Sequence, residues 1–233
     1  MPELAAQLVL GIRLHEDAKF ENFLPGQNGQ LTAHLQQFLQ NEDEHFFYIG
    51  GLEGSGKSHL LQACCHWVTA RQQTAVYVPL KSYRELSVRL LEDLECVNLI
   101  CVDDIQCVAE DKLWQEALFH LYNRSKAVQS KLIVSGCLPP REIKLSLPDL
   151  VSRLCWGQVY QLHPLLDEDK IAALQTRAKA QGFALPLEVA RFLLRRCSRE
   201  MPALFAILEQ LDRASLSAQR RLTIPFVKQV LRF

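Results

Sequence analysis

The stretch GLEGSGKS, at residues 51–58, matches the phosphate-binding pattern G-x-x-x-x-G-K-[ST] and lies between an apolar run and a helical pattern. Glycines let such a loop curl until its backbone N–H groups surround phosphate oxygens, and the start of the following helix adds positive potential. Lys57 is predicted to reach the β- and γ-phosphates of a nucleotide, and Ser58 is predicted to ligate Mg²⁺. The residues predicted to hold the phosphates are Gly51, Gly54, Ser55, Gly56, Lys57 and Ser58.

An acidic motif follows further along the chain, in NLICVDDI at residues 98–105. Its apolar run brings Asp103 and Asp104 to the carboxyl end of a predicted strand, which is where α/β sheets bind ligands. Asp103 is predicted to hold Mg²⁺, directly or through water, together with Ser58. Asp104 is placed to orient or deprotonate a water molecule.

Short apolar runs rich in β-branched and aromatic residues alternate with helical stretches up to about residue 164. The runs predicted as strands are residues 45–50, 74–80, 98–104, 131–136 and 158–165, and helices are predicted at residues 57–73 and 113–127. This alternation indicates a parallel sheet with helices on both faces, and continuous apolar runs suit strands buried on both sides. The sequence therefore predicts an α/β domain whose five-stranded parallel sheet carries both motifs.

Beyond Pro164 the sequence shows only helical periodicity. The predicted helices are residues 167–182, 186–200, 202–219 and 224–233, with Asp167 as a cap, Gly182 as a stop, and Pro186 and Pro202 in first turns. We therefore expect three parts: an N-terminal segment at residues 1–18, an α/β nucleotide-binding domain at residues 19–164 and a small all-helical domain at residues 165–233.

Charge and cysteine content narrow the class of protein. The chain has 233 residues, and its 26 basic residues balance its 26 acidic ones, whereas a protein that grips duplex DNA normally has a basic excess. Eight cysteines are present, none in a C-x-x-C pair, and we expect most of them to be buried hydrophobic residues in a reducing compartment. No signal-peptide pattern is evident, so we expect a cytoplasmic protein without a membrane partner.

Several stretches, in order from about residue 19 to the end, resemble the AAA+ core of the bacterial replication initiator DnaA. They are FENFLPGQNGQL at 20–31, GLEGSGKSHLLQA at 51–63, LICVDDIQ at 99–106, PPREIKLSLPDLVSRLCWG at 139–157 and LTIPFVKQVL at 222–231. The resemblance implies an AAA+ P-loop NTPase core followed by a helical lid, with ADP or ATP and Mg²⁺ as ligands. It places Phe20 and Phe23 at the adenine pocket, and His59 is a further candidate nucleotide-binding residue.

The same resemblance implies a role for SRLCWG, which matches the motif that holds the arginine finger of these proteins. Arg153 would be the finger, offered to the γ-phosphate of a neighbouring molecule. Trp156 and Gly157 are expected to shape the loop that presents it, and all three tryptophans are expected to be packing anchors.

DnaA carries a further C-terminal helix-turn-helix domain, whereas this sequence reaches Phe233 directly after the lid pattern. The chain therefore resembles the regulatory-inactivator branch of the family, whose members begin with a sliding-clamp-binding peptide. QLVLGI, at residues 7–12, matches that peptide. Gln7 would hydrogen-bond at the edge of the clamp pocket, and Leu8, Leu10 and Ile12 would supply apolar area. The alternative is that this hexapeptide packs on the sheet as an edge strand.

The function that the resemblance implies is negative regulation of replication initiation. Together with the DNA-loaded sliding clamp, which is the β subunit of DNA polymerase III, the protein would stimulate hydrolysis of ATP bound to DnaA. It would reach DNA only indirectly, through the clamp, and would thereby associate with the nucleoid. AAA+ cores tend to pair, so a homodimer or a higher homo-oligomer is expected.

Some positions depart from the family pattern. Cys137 stands at the usually polar sensor 1 position, and Pro202 stands where a sensor 2 arginine is expected, with Arg199 one turn out of register. Both changes remove groups that read a γ-phosphate, so we predict a weak ATPase that is held with ADP. Gly11 replaces a proline that is common in the clamp peptide, which raises the entropic cost of ordering it.

Two other classes of protein stay open. A stand-alone AAA+ ATPase that loads a helicase or remodels single-stranded DNA would need robust hydrolysis and a basic groove lined with aromatic residues. A small-molecule P-loop kinase would need an arginine-rich substrate lid, whereas the C-terminal helices look like a packed bundle.

Overall fold

The computed structural model describes residues 14–233, and the chain divides after Pro164 into two compact units. The strands are β1 Phe46–Gly51, β2 Ala75–Pro79, β3 Leu99–Asp103, β4 Lys131–Gly136 and β5 Gln158–Leu162. They form one five-stranded sheet in the order β2-β3-β4-β1-β5, and every neighbouring pair is parallel. The predicted five-stranded parallel sheet is confirmed.

The strand order brings both motifs to one edge of the sheet. β1 runs into the P-loop at Gly51, and β3 ends at Asp103. β4 lies between these two strands, and because all strands are parallel their carboxyl ends meet at the same edge. The end of β5 joins them there, since Gly51 pairs with Leu162.

Helices cover both faces of the sheet. Those of the first unit are α1 Gly29–Gln40, α2 Lys57–Thr69, α3 Lys112–Ala127 and α4 Pro148–Leu154. Along β1, Phe47 and Ile49 pack into the hydrophobic cluster with α1 and α2, while Phe46 and Tyr48 pack into the cluster with α3 and α4. Successive side chains of a strand point to opposite faces, so a continuous apolar run is needed to fill both layers.

The second unit is entirely helical in its regular elements, with α5 Asp167–Ala180, α6 Leu187–Arg196, α7 Met201–Ala218 and α8 Ile224–Leu231. Gly182 follows α5 with φ +88°, as expected of a glycine that ends a helix. Asp167 does not cap α5, because Leu166 occupies the cap position and Asp167 is the first helical residue, where its charge favours the helix dipole. Pro186 is the cap residue of α6 rather than part of its first turn, and Pro202 lies in the first turn of α7.

The cysteines are less buried than the sequence predicts. All eight are free, but only Cys64, Cys65 and Cys101 are buried, and Cys96 is exposed. The prediction holds for α2 and β3, whose apolar runs face the core, and is wrong for the cysteines of loops and helix ends. In the described part of the chain, no helix is long and apolar enough to cross a membrane.

Candidate nucleotide-binding site

The P-loop between β1 and α2 has the backbone shape of a phosphate cradle. Gly54 has φ +74° and Gly56 has φ +104°, so both adopt a left-handed conformation that turns successive N–H groups inward. A Cβ on Gly56 would lie 2.9 Å from the Phe23 ring, so only glycine fits there. The Ser55 hydroxyl is buried and has no hydrogen-bond partner among residues 14–233. A curled loop with an unpaired buried hydroxyl fits phosphate oxygens.

Lys57 begins α2 and is buried at the base of the loop. Its Nζ donates hydrogen bonds to the carbonyl oxygens of Gly51, at 2.7 Å, and Leu52, at 3.0 Å. It also lies 4.0 Å from Oδ1 of Asp104. The P-loop and the acidic motif, which are distant in the sequence, therefore meet at this ammonium group.

Asp103 is held by hydroxyl donors from both neighbouring strands. Tyr77 on β2 donates to its Oδ2 at 2.6 Å, and Ser135 on β4 donates to its Oδ1. Burial, together with the negative charge of Asp103, raises the pKa of Tyr77 well above its usual range, so the phenol stays a donor. The Ser58 side chain also interacts with Tyr77, which brings the two predicted Mg²⁺ ligands beside one phenol.

A serine hydroxyl and one carboxylate suit Mg²⁺, which binds through few protein oxygens and completes its shell with phosphate oxygens and water. Within residues 14–233, no group of three or more histidine, cysteine, aspartate or glutamate side chains could hold a metal by itself. The residues present therefore fit a metal that arrives with a nucleotide.

Asp104 lies just beyond β3, with φ +59°. This conformation points its N–H at the Ser135 hydroxyl, at 2.9 Å. Its Oδ1 accepts a hydrogen bond from Gln106 at 2.9 Å, and the Gln106 carbonyl accepts one from the N–H of Cys137 at 3.0 Å. Gln106 thus ties the second acidic residue to the backbone at the sensor 1 position.

Three of these residues, Tyr77, Ser135 and Gln106, were not among the sequence-predicted site residues. Ser135 carried a usable signal, because it is a polar residue inside the apolar run KLIVSG. Tyr77 resembles any strand tyrosine, and Gln106 lies in a polar turn, so neither departs from the surrounding pattern.

The aromatic candidates lie beside the loop. The Phe23 and His59 rings have centroids 5.5 Å apart, and Nε2 of His59 lies 2.9 Å from the carbonyl oxygen of Lys19. Phe20 opens a short 3₁₀ turn, Phe20–Asn22, and packs against the hydrophobic cluster of α1 and α2. The structure thus brings Phe23 and His59 to Gly56, while Phe20 contributes to packing next to them.

The sensor 2 position lies in the helical unit. Pro202 is near the start of α7, and its ring offers no donor to a phosphate. Arg199 pairs with Asp167 at 3.4 Å, and both side chains are exposed.

Arg153 lies at the opposite edge of the sheet from the P-loop. It is near the end of α4, and only residues 155–157 separate that helix from β5. The start of β5 pairs with the start of β1, and a Cβ on Gly157 would lie 2.5 Å from the Phe46 ring. Strands of this length span about 17–20 Å, so Arg153 is far from the phosphate loop of its own chain.

Aromatic faces hold the Arg153 guanidinium. Its Cζ lies 4.7 Å from the ring centroid of Trp156, and 5.8 Å and 5.9 Å from those of Phe119 and Tyr122. No carboxylate in residues 14–233 forms an ion pair with it. Trp156 is 61% exposed, so its prediction as a packing anchor is wrong. It forms an open platform that also carries Lys126, with Nζ 4.8 Å from the ring.

The predicted clamp-binding residues Gln7, Leu8, Leu10 and Ile12, and the departure at Gly11, lie outside the described residues.

Comparison with known proteins agrees with this architecture. A family model described as the bacterial DnaA ATPase domain matches residues 14–161, and a model described as the lid domain of Hda matches residues 167–231. The matches meet near the division between the two compact units.

Solved structures share the fold at low sequence identity. Domain III of Thermotoga maritima DnaA superposes with a TM-score of 0.81 at 21% identity, covering 95% of this chain and 98% of that one. AMPPCP-bound DnaA from Aquifex aeolicus gives a TM-score of 0.74 at 20% identity over 89% of this chain and 70% of that one. A RuvB variant from Thermotoga maritima gives 0.65 at 14% identity over 87% and 68%. The chain therefore belongs to the bacterial DnaA ATPase-domain family and is a DnaA-related AAA+ protein of the Hda type.

Proposed function

We propose that this replication protein inactivates DnaA by stimulating hydrolysis of the ATP that DnaA holds, and that it does so while bound to the DNA-loaded sliding clamp. Arg153 acts in trans as the arginine finger. The observation that supports this proposal most directly is the position of Arg153, which lies across the sheet from the P-loop of its own chain.

The surroundings of Arg153 suit a finger that must move to a partner. Cation–π contacts are each worth about 0.5–2 kcal/mol, whereas a guanidinium bound to a phosphate makes charge-assisted, bidentate hydrogen bonds. Because aromatic faces rather than a carboxylate hold the side chain, its transfer to a γ-phosphate breaks no ion pair. An arginine supplied in trans accelerates phosphoryl transfer by roughly 10³–10⁵.

The chain's own P-loop holds ADP or ATP with Mg²⁺ in this proposal, and the curled loop with Lys57 at its base supports it. Ser58 and Asp103 ligate the metal, which neutralises phosphate charge when bound. Hydrolysis in this site is weak because Cys137 and Pro202 supply no charged group to the terminal phosphate. A homodimer or higher homo-oligomer, in which one core faces the next, belongs to the same proposal.

The clamp, the β subunit of DNA polymerase III, is the partner proposed for residues 7–12. Gln7 anchors the peptide at the edge of the pocket, and Leu8, Leu10 and Ile12 enter it. The clamp is multivalent, so a weak peptide suffices when DnaA is nearby. DNA is then reached only through the clamp, which places the protein at the nucleoid in the cytoplasm.

The finger is tested in a reconstituted reaction with DNA-loaded clamp and DnaA preloaded with ATP, with ADP formation as the measurement. Arg153→Ala should bind clamp normally and lower the stimulated rate by on the order of 10³-fold. Arg153→Lys should recover little of it, because an ammonium lacks the planar fork. Arg191→Ala, at an exposed arginine of α6, is the matched control. Stimulation at the wild-type rate by Arg153→Ala would refute the finger.

The clamp contact is tested by retention on immobilised clamp. Wild-type protein should be retained, and the double variant Gln7→Ala, Leu10→Ala should be lost. The control makes the same two types of change at exposed positions, Gln27→Ala and Leu216→Ala. Equal retention of both double variants would remove the clamp from the proposal. Robust hydrolysis of the chain's own ATP on single-stranded DNA would favour the helicase-loading alternative.

A further inference from the structure

Lys81 lies between the P-loop and the second acidic residue of the site. It is in the 3₁₀ segment Leu80–Glu85, directly after β2, and belongs to neither sequence motif. Its Nζ lies 2.8 Å from Oε1 of Glu53 in the P-loop and 3.5 Å from Oδ2 of Asp104. One ammonium group thus bridges the loop and the acidic motif.

This ammonium completes the set of donors around the Asp104 carboxylate. Gln106 donates to Oδ1 and Lys57 lies on the same side, while Lys81 faces Oδ2. A carboxylate that orients a water molecule for attack must offer that water an oxygen lone pair. With both oxygens engaged, Asp104 offers a water less than a carboxylate with one oxygen free.

The two contacts of Lys81 differ in strength. The Glu53 side chain is 75% exposed and that of Asp104 is 7% exposed, while Lys81 itself is 58% exposed. Exposed pairs contribute little, but a charge beside a buried carboxylate acts through a lower effective dielectric. The hydrogen bond to Glu53 raises the pKa of Lys81, so the ammonium is charged at neutral pH.

We propose that Lys81 is a positioning residue that occupies Oδ2 of Asp104 and thereby restrains hydrolysis of ATP in the chain's own site. The inference rests on the proposed function, because it takes ATP to bind at the P-loop. It adds a cause of weak hydrolysis that is independent of Cys137 and Pro202, and it assigns a role to a side chain outside both motifs.

The first test is single-turnover hydrolysis of ATP by the purified full chain, without clamp or DnaA. Lys81→Met should raise the rate roughly fivefold, the effect of removing one partly exposed charge contact. Lys81→Arg should stay near the wild-type rate, because it keeps a cation at Oδ2. Lys112→Met, at an exposed lysine of α3, is the matched control and should not change the rate.

A double-mutant cycle separates restraint of Asp104 from a general structural effect. In an Asp104→Asn background, Lys81→Met should give no further increase, because the group on which Lys81 acts is already changed. A fivefold increase that persists in that background would overturn the proposal. In the nucleotide-free protein, the melting-temperature shifts of Lys81→Met and Asp104→Asn should be non-additive, which reports the contact without hydrolysis.

Equilibrium binding of ADP and AMPPCP distinguishes the remaining outcomes. Lys81→Met should bind both within about twofold of wild type, because Lys81 acts on Asp104 rather than on phosphate. Loss of AMPPCP affinity with ADP affinity retained would show a phosphate contact and would overturn the proposal. Wild-type protein that binds neither nucleotide would refute the proposed nucleotide site as well. Normal binding with an unchanged hydrolysis rate would refute the role of Lys81 alone.

Discussion

The hydroxyl of Tyr77 donates a hydrogen bond to Oδ2 of Asp103 over 2.6 Å, from one strand of the sheet to its neighbour. Ser135 donates to the other oxygen from the strand on the opposite side. Hydroxyl donors orient the carboxylate without neutralising its charge, which suits a ligand for Mg²⁺. Asp103 is thus fixed by the sheet itself before any nucleotide binds.

Ser135→Ala should destabilise the protein by about 1–3 kcal/mol. The side chain is fully buried, and its loss leaves both the N–H of Asp104 and an oxygen of Asp103 without that partner. Urea unfolding monitored by circular dichroism measures the change. Ser152→Ala, at an exposed serine of α4, is the control and should lie within about 0.5 kcal/mol of wild type. Equal effects of the two substitutions would contradict the prediction.

Gly56→Ala should lower both stability and ADP affinity. Its φ of +104° is unfavourable for alanine, and the new Cβ would lie 2.9 Å from the Phe23 ring, so we expect a cost of about 1–3 kcal/mol. Gly29→Ala is the matched control, because its φ is −57° and a Cβ there meets open space. That change should be neutral or stabilise by up to about 1 kcal/mol. Thermal unfolding and ADP titration test both, and normal ADP binding by Gly56→Ala would refute the cradle.

Leu208→Ala should destabilise the helical unit by about 2–5 kcal/mol, because this α7 side chain is fully buried in the unit's hydrophobic cluster. Leu216→Ala, on the same helix at 70% exposure, should change the free energy of unfolding by no more than about 0.5 kcal/mol. Urea titration of both full-length variants gives the comparison. A similar cost at the two positions would mean that α7 packs through another face.

Glu95→Gln should destabilise the protein at neutral pH by less than about 1 kcal/mol. Burial tends to raise the pKa of Glu95, but a backbone hydrogen bond and Arg124, whose Nε lies 2.9 Å away, lower it overall. A carboxylate whose pKa is lower in the folded state stabilises the protein above its unfolded pKa of about 4.3. That contribution is lost as the pH falls through the folded value.

The difference in unfolding free energy between wild type and Glu95→Gln should therefore shrink to nothing in acid. Urea titrations at a series of pH values measure it, with Glu92→Gln as a control for the general loss of one negative charge. A difference that persists unchanged at low pH would show that the Glu95 charge is not involved.

The sequence by itself determined the elements and the family. Periodicity located the five strands within a few residues, since runs such as LICVDD must be apolar on both faces to be covered by helices. The P-loop was evident because its glycines and Lys57 are contiguous, and contiguous chemistry can be read without a fold. Cap positions such as Asp167 were less accurate, because one residue separates a cap from a first turn.

Only the tertiary structure decided which distant side chains share the site. Strand order and register bring Tyr77 and Ser135 to Asp103, and Lys81 to Asp104, although none is near its partner in sequence. They also place Arg153 at the far edge of the sheet from Gly51. Neighbours across a sheet are set by how strands pair, and pairing depends on the packing of the whole domain rather than on any local pattern.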